Sequence, residues 1–528
     1  MAARQRSGLS RSRIFGHVRT LPTLMLLAFA SIALSYPLAD TDIWWHLSAG
    51  REIFSSGRVL FSDPFCASSL GFAWTDLHWG FQIGAWSIWT IFGAWGLVGT
   101  RVLLAFAIFT VAFGRKMAIT AALAGAFALW ISRPFLDARP LLVTLLVLAA
   151  LQRWLEADSA CAKRRTFLLA IVGQIVLANT QGLFLLGPLL VGVYSLGSFL
   201  DKRKADGSRL GMLALAMIAA SLVNPWGWSA FALAGKVAGR IAPTAANLFS
   251  SEIPENAPLW TEAVRSPSTV LLLAWLVASV WLFWKRDAHS RTRMVLLVGT
   301  GLLSIAAIRN LPLLCLEIAF CLDFSARPAL VKIWSWSAAA IVSTLFVVSI
   351  RERRWNLPFD PVAPLRLPSS EAIEIIQRDP APVFHEIRAG GWLSWNAPSR
   401  GLCWADTRLV LHDAEFVRQY LDVADRPDRF TDFSRRWNFG YALLPIVEFD
   451  RFRPLAAFLL QSDEWQLLHC DGAWVLFGHR SPPSVNNRTA TATDMSESVQ
   501  RRFGANLLLE RRVRDNLQAY LSLTGRSP

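Results

Sequence analysis

The sequence is poor in charge: only 17% of its 528 residues are Asp, Glu, Lys or Arg, against 53% hydrophobic, and mean hydropathy is +0.37. With apolar runs of roughly 17 to 25 residues recurring between short polar breaks, this excludes a large soluble protein and points to a polytopic membrane protein. Acid is scarcer than base, leaving a formal charge of +15. The basic residues sit in short runs beside apolar segments, so they read as topology signals, and no nucleic-acid partner is expected. Cysteine is also scarce. Six residues (Cys66, Cys161, Cys315, Cys321, Cys403, Cys470) with no CxxC pair exclude a disulfide scaffold and a zinc cluster of ordinary spacing. Cys403 and Cys470 fall in one polar region and either form a single disulfide, if that region is exported, or remain buried thiols. No long-period repeat is present.

What stands out against this background is the stretch Asp40 to Trp79. It carries five carboxylates, two histidines and four tryptophans between two apolar segments. Turning a chain around at a membrane surface requires no such cluster, so this loop is the first place to look for chemistry.

The basic N-terminus (1–20) followed by Leu21 to Leu38 reads as an uncleaved first span with the N-terminus inside. Further apolar segments fall near 79–95, 97–114, 117–131, 140–155, 166–178, 183–200, 209–223, 268–284, 293–308, 311–325 and 330–350, which gives about 11–12 transmembrane segments. The breaks at Arg115-Lys116, Lys163 to Arg165, Lys202 to Lys204 and Lys285 to Arg293 are then cytoplasmic. The first loop (39–78), Ser132 to Arg139, Asn179 to Gly182, the long loop 224–267 and Arg309-Asn310 are then external. Two full crossings between Trp79 and Arg115 would conflict with this scheme, so either 79–95 is only partly inserted or one basic break is external. From Arg351 the pattern changes to a soluble α/β domain (351–480), expected outside. PSSEAIEIIQ and LHDAEFVRQYLDVA read as helices, and PVFHEI, GLCWAD, GYALLPI, WQLLHC and AWVLFGH as strands. The tail (481–528) reads as flexible to about Ser496 and then as a basic amphipathic helix, VQRRFGANLLLERRVRDNLQAYL.

Within the first loop, Asp40 and Asp42 stand at the mouth of the first span, and an interfacial helix from Ile43 to Phe54 would put His46 one turn after Asp42 on the same face. A carboxylate held against low-dielectric walls can act as a general base toward a hydroxyl; the alternative is a loop acid that caps a helix. Asp76 and His78 close the loop, Asp63 before Pro64 reads as a turn former, and Glu52 as a solvated helix charge. In the other external breaks, Arg133, Asp137, Arg139 and Arg309-Asn310 place arginine outside, against the usual bias. A planar guanidinium there suits a phosphate anchored in the bilayer, or an ordinary ion pair with a loop carboxylate such as Glu252 or Glu255. Asn179, Gln181 and Asn224 add hydrogen-bonding groups at span ends, as cavity wall or as helix caps. GGWLSW and WADTR read as domain core or as a binding surface.

An acidic pair after the first span, a long first external loop, RP-containing breaks and a C-terminal soluble domain together resemble the GT-C superfamily, which moves sugars from polyprenyl-phosphate carriers. DTDIWWHLSAGREI, DPF, WTDLHW, RPFLDARP, NTQGLFLLG, NPWGW, RNLPLL and GGWLSWNAPSRGLCWADTRLVLHD are similar to a group of bacterial multipass glycosyltransferase-like proteins, over about 40 to 480. The resemblance implies an inner-membrane glycosyltransferase that inverts the anomeric centre, with Asp42 as the catalytic carboxylate and Asp40 next, assisted by His46. Asp76, His78, Arg133, Asp137, Arg139, Asn179, Gln181, Asn224, Arg309 and Asn310 would bind substrate. It implies a polyprenyl-phosphate-linked sugar donor, a glycan, lipid or protein acceptor, contact with membrane lipids, and leaves a divalent metal open as cofactor. Some members have two adjacent acids, whereas here Thr41 separates them. The competing classes are a lipid-linked glycan flippase, a polysaccharide ligase or polymerase, and an inactive scaffold whose external domain binds a partner.

Overall fold

A computed structural model describes residues 21–114, 117–157, 164–241, 248, 253–261, 266–325, 327–354, 362–363, 365–446, 450–480, 489–504 and 507–522. The basic N-terminus, Arg115-Lys116, Lys163, Glu252 and most of the Ser/Asn-rich tail segment lie outside these residues. The chain divides into two compact units, one of residues 1–36 and 96–350 and one of residues 37–95 and 351–528.

The first unit is helical. Its helices include Leu21–Leu34, Ile119–Ser132, Leu141–Leu155, Arg164–Ala178, Leu186–Leu200, Lys204–Ala220, Pro267–Leu282, Ser290–Ala306, Leu311–Cys321 and Pro328–Arg354. These fall on the apolar segments read from sequence. Leu311–Cys321 is buried at every position, so its Glu317 is matched by a hydrogen bond from Gln152 Nε2 at 2.8 Å. The outward faces carry large apolar side chains, among them Leu215, Leu271, Trp281, Ile333 and Trp336, which water would not favour as a surface. By length and composition, Trp79–Phe113 and Pro328–Arg351 are able to cross a membrane. Other apolar helices, such as Leu141–Leu155, have 10–17 residues. At 1.5 Å per residue these are shorter than a perpendicular span of roughly 20 residues. The two segments expected at 79–95 and 97–114 form one 35-residue run with a non-helical Gly93 inside it, and the division between the units falls just past that kink. Within the long loop 224–267, Ser229–Ile241 is a helix and Pro254–Asn256 a single 3-10 turn.

The second unit joins the first loop to the C-terminal region. Strands β1 (Val383–His385), β2 (Tyr441–Pro445), β3 (Trp465–Cys470) and β4 (Trp474–His479) form a sheet of order β1-β2-β4-β3, parallel between β1 and β2 and antiparallel elsewhere. GLCWAD, expected as a strand, contributes only isolated bridges, Cys403 pairing with Val383 on one side and Cys66 on the other. GGWLSWN is a helix, Gly390–Asn396. The helix Ser370–Arg378 is capped by Ser369, and Ala414–Asp425 by Asp413, as their sequences suggest. The tail differs from expectation. Thr491 and Asp494 form a reciprocal capping box that starts Ala492–Phe503, and a second helix, Leu507–Ser522, follows. Val499, Val513 and Tyr520 are buried in the domain core, so the amphipathic face is used inside the protein.

Candidate functional site

The first loop forms a helix, Asp42–Ser56, one residue longer at its start and two at its end than the sequence suggests. It stops at Gly57, whose positive φ of 65° lets its N–H return to the Ile53 carbonyl. Residues Ile43 to Gly50 are all buried, because both sides of the helix are covered. Trp44 packs edge-on against Trp89 and Trp392, at 5.6 and 4.5 Å between ring centroids. Gly50 lies so close to the next helix that a Cβ would fall 2.3 Å from the Gln82 carbonyl oxygen.

The two glycines of GGWLSW bring this helix to the WADTR segment. A Cβ on Gly391 would sit 3.0 Å from the Trp45 backbone nitrogen and 3.1 Å from the Thr41 carbonyl oxygen. On the other side, a Cβ on Gly390 would lie 2.1 Å from the Ala405 carbonyl oxygen. The helix start and the WADTR backbone therefore sandwich a pair of residues that have no side chain. As a result, Thr407 Oγ1 donates to Asp42 Oδ1 at 2.5 Å, across 365 residues of sequence. Asp42 occupies the first turn of the helix, where the macrodipole favours its negative charge. Asp40 is buried, and its Oδ1 accepts from the Asp42 backbone N–H at 3.0 Å, so its carboxylate fixes the turn that presents Asp42.

His46 is buried with its ring 3.6 Å from that of Trp45 and 5.4 Å from His78. Asp76 is buried; its Oδ1 accepts from Gln82 Nε2 at 3.0 Å and from the His78 backbone at 3.1 Å, and lies 3.7 Å from His78 Nδ1. Asp76 thus holds the half-exposed His78 in place. Asp42 and His46 lie one turn apart in the helix, and His78 packs edge-on against His46.

A buried polar group next to this site was not anticipated. Arg408 Nη1 lies 2.8 Å from Asp63 Oδ1, and its Nη2 2.8 Å from Asp406 Oδ2, with all three side chains buried. Asp63 also forms the turn expected of it, accepting from the Phe65 backbone and the Ser69 hydroxyl. Burial acts to raise the Asp406 carboxyl, but Arg408 outweighs it and holds the group below its ordinary range. His412 stacks on Phe416 with centroids 3.9 Å apart and faces the Ser68 hydroxyl at 3.3 Å. Asp406, Thr407, Arg408 and His412 were missed because their partners lie in the first loop. The local signal for them was a run of polar residues, DTR and HD, in an otherwise apolar stretch.

The remaining candidates lie in the helical unit. Arg139 Nη1 pairs with both oxygens of Glu255, at 2.8 and 2.9 Å, and Arg309 Nη1 donates to Asn256 Oδ1 at 3.0 Å. One 3-10 turn of the long loop therefore holds both arginines. Arg133 lies over the Trp130 ring at 4.4 Å. Asp137 pairs with the buried Arg101 at 2.9 Å. Asn179 donates to the Ile175 and Val223 carbonyls, Gln181 accepts from the Gly182 backbone, and Asn224 forms a turn with the Trp226 N–H. Asn310, half-buried, donates to the Leu303 carbonyl. For Asn179, Gln181 and Asn224 these are contacts made at helix ends and turns.

A divalent ion asks for several converging oxygen donors. Among the described residues no group of three or more His, Cys, Asp or Glu side chains is placed to hold a metal. Asp40 and Asp42 are engaged with a backbone N–H and the Thr407 hydroxyl, so the donor set present does not fit a metal on its own.

The fold is one seen in oligosaccharyltransferases of known structure. Among solved structures, the chain is similar to the archaeal oligosaccharyltransferase AglB from Archaeoglobus fulgidus, in complex with an inhibitory peptide and a dolichol-phosphate. Identity is 11% and TM-score 0.55, over 88% of this chain and 74% of that one. It is also similar to the Archaeoglobus fulgidus oligosaccharyltransferase in complex with Zn and sulfate, at 9% identity and TM-score 0.53, over 86% of this chain and 73% of that one. No family profile and no curated protein matches the sequence. At these identities the likeness establishes fold alone.

Proposed function

We propose that the protein is a multipass membrane glycosyltransferase that moves a sugar from a polyprenyl-phosphate carrier to an acceptor hydroxyl on the external face of the bacterial inner membrane. The observation that carries this reading is the Asp42 carboxylate, placed at a helix start and gripped by Thr407, on a fold shared with an enzyme whose solved structure contains a dolichol-phosphate. Asp42, held by Thr407, orients the acceptor hydroxyl and takes its proton. The hydroxyl oxygen attacks the anomeric carbon from the face opposite the phosphate, the bond between that carbon and the phosphate oxygen breaks, and polyprenyl phosphate leaves with the electron pair. Configuration inverts. In this reading His46 and His78, whose rings lie 5.4 Å apart, assist by hydrogen bonding or proton transfer.

The test is sugar transfer from a radiolabelled polyprenyl-phosphate sugar by the purified, reconstituted full-length chain and its Asp42→Asn variant. Asparagine keeps an oxygen for Thr407 but does not accept the proton, so turnover should fall by roughly 10² to 10⁴ with unfolding midpoint and membrane insertion unchanged. Equal turnover by the two proteins sinks the assignment.

A further inference from the structure

The pairing entertained from sequence, Cys403 with Cys470, is not the one the fold sets up. The first loop runs beside Leu402–Trp404, with Ala67 N donating to Cys403 O at 2.7 Å, Ser68 N to Trp404 O at 3.0 Å and Gly401 N to Phe65 O at 3.1 Å. Cys66 and Cys403 are direct partners in this parallel pairing. Their Cα atoms therefore stand about 4.8 Å apart, inside the span of about 4.4–6.8 Å that a disulfide accepts. Their side chains point the same way, and the two Sγ atoms lie 2.7 Å apart, nearer than non-bonded sulfurs rest. Both residues are fully buried.

We propose that Cys66 and Cys403 are joined as a disulfide in the mature protein, a covalent staple between the first external loop and the C-terminal domain. The surroundings suit the bridged form. Arg408 and Asp406, which lie beside Cys66 Sγ, pair with one another, and Arg408 also pairs with Asp63, so the charges next to the sulfurs are matched without the S–H protons. In the folded, reduced form the two thiols differ. Burial, the hydrogen bond to Cys403 and the nearby Asp406 push the Cys66 thiol up. At Cys403 burial is outweighed by the hydrogen bond from Cys66 and by the His385 ring, which bring that thiol down to about 7.

The oxidant is a protein oxidoreductase carrying a reactive disulfide, of the kind that works outside the cytoplasm, and either thiol attacks it while the chain is open, here Cys403. The Cys403 thiolate attacks one sulfur of that disulfide and releases the other as a thiolate. Cys66, deprotonated, then attacks Cys403 Sγ, closing the 66–403 bond and displacing the second donor sulfur. Two protons and two electrons leave the chain, and the donor ends as a dithiol. Exchange takes place before the pair is buried by folding, and burial then protects the bond. The inference needs the first loop to face an oxidising compartment and does not rest on the sugar-transfer reading.

The experiment uses full-length protein purified from membranes without reductant. It is denatured and labelled with a maleimide-polyethylene glycol, with and without prior reduction. The sequence holds six cysteines, so adducts should rise from four to six on reduction. Tryptic mapping of unreduced protein should find Gly401–Arg408 joined to the peptide that contains Cys66. The Cys403→Ser variant should give the same adduct count with and without reductant, a readout taken on denatured chain and so independent of its folding. Six adducts on unreduced wild-type protein, or a link from Cys403 to any other cysteine, overturns the proposal.

Discussion

Burial holds the His412 ring neutral and brings it down to about 4 from its ordinary 6.5, with Arg408 adding to the effect against the opposing pull of Asp406. As pH falls below about 6.5, the ring protonates in the unfolded chain, while in the folded chain it stays neutral until about pH 4. Stability is therefore full above the first value and is lost as pH falls through this window, by about 3 kcal/mol. Asp406, held below its usual range, adds its own loss only at lower pH, once its carboxylate protonates. The His412→Gln variant should unfold with a flatter pH dependence between 6.5 and 4, measured by denaturant titration of the full-length protein. An unchanged slope would show that another group governs the window. Thr407→Val removes the donor to Asp42, an interaction with a charged partner worth about 1.5–3 kcal/mol, so turnover should drop about tenfold or more with the fold intact. Wild-type turnover in that variant would mean that Thr407 does not position Asp42. Asp40, Asp42, His46, Asp76 and His78 are legible as candidates because they sit in one short stretch, and helical spacing relates Asp42 to His46. Thr407 carried no such sign, since its partner is 365 residues away and no periodicity spans that distance.

At the scale of elements, the helix Asp42–Ser56 is held by what its neighbours lack. Gly390 and Gly391 admit the Ala405 carbonyl on one side and the Thr41–Trp45 backbone on the other. The expectation that GGWLSW serves the core is met in part, but the glycines serve it by close backbone approach, which composition does not reveal. The two positions should respond differently to alanine. At Gly390 the added methyl would meet a carbonyl oxygen at 2.1 Å. That backbone has no rotamer with which to yield, so Gly390→Ala should destabilise the unit by about 3 kcal/mol or more. At Gly391 the nearest atoms are 3.0 to 3.3 Å away, which asks for a shift of a few tenths of an ångström and about 1–3 kcal/mol. That shift moves the helix start relative to WADTR, so Gly391→Ala should fold yet lose turnover along with the Asp42–Thr407 contact. Equal unfolding midpoints for the two variants would contradict the sandwich. The tail teaches the same lesson from the other direction. Its Ser/Thr/Asn composition suggests disorder to Ser496, whereas TATD is a helix-start signal that composition averages away.

At the scale of the molecule, sequence order and packing order disagree. The region from Arg351 reads as an autonomous domain because its helices and strands follow one another without apolar spans. Its compact unit nonetheless includes residues 37–95, which supply Cys66 and Phe65 to its core and two isolated bridges, Leu38 to Val362 and Cys66 to Cys403. Removing the first loop would uncover Cys403 and the Arg408 group, and would take Asp63 from a buried guanidinium left with Asp406 alone. Breaking a buried ion network in this way costs about 3–5 kcal/mol, a large part of the roughly 5–15 kcal/mol by which a domain is stable. Residues 351–528 produced alone should therefore be compact without fixed packing, with far-UV circular dichroism retained, near-UV signal weak and no cooperative thermal transition. The same residues within the full-length chain should melt cooperatively. A sharp transition and dispersed amide resonances from the isolated fragment would show that the C-terminal region builds its core without the loop that carries Asp42.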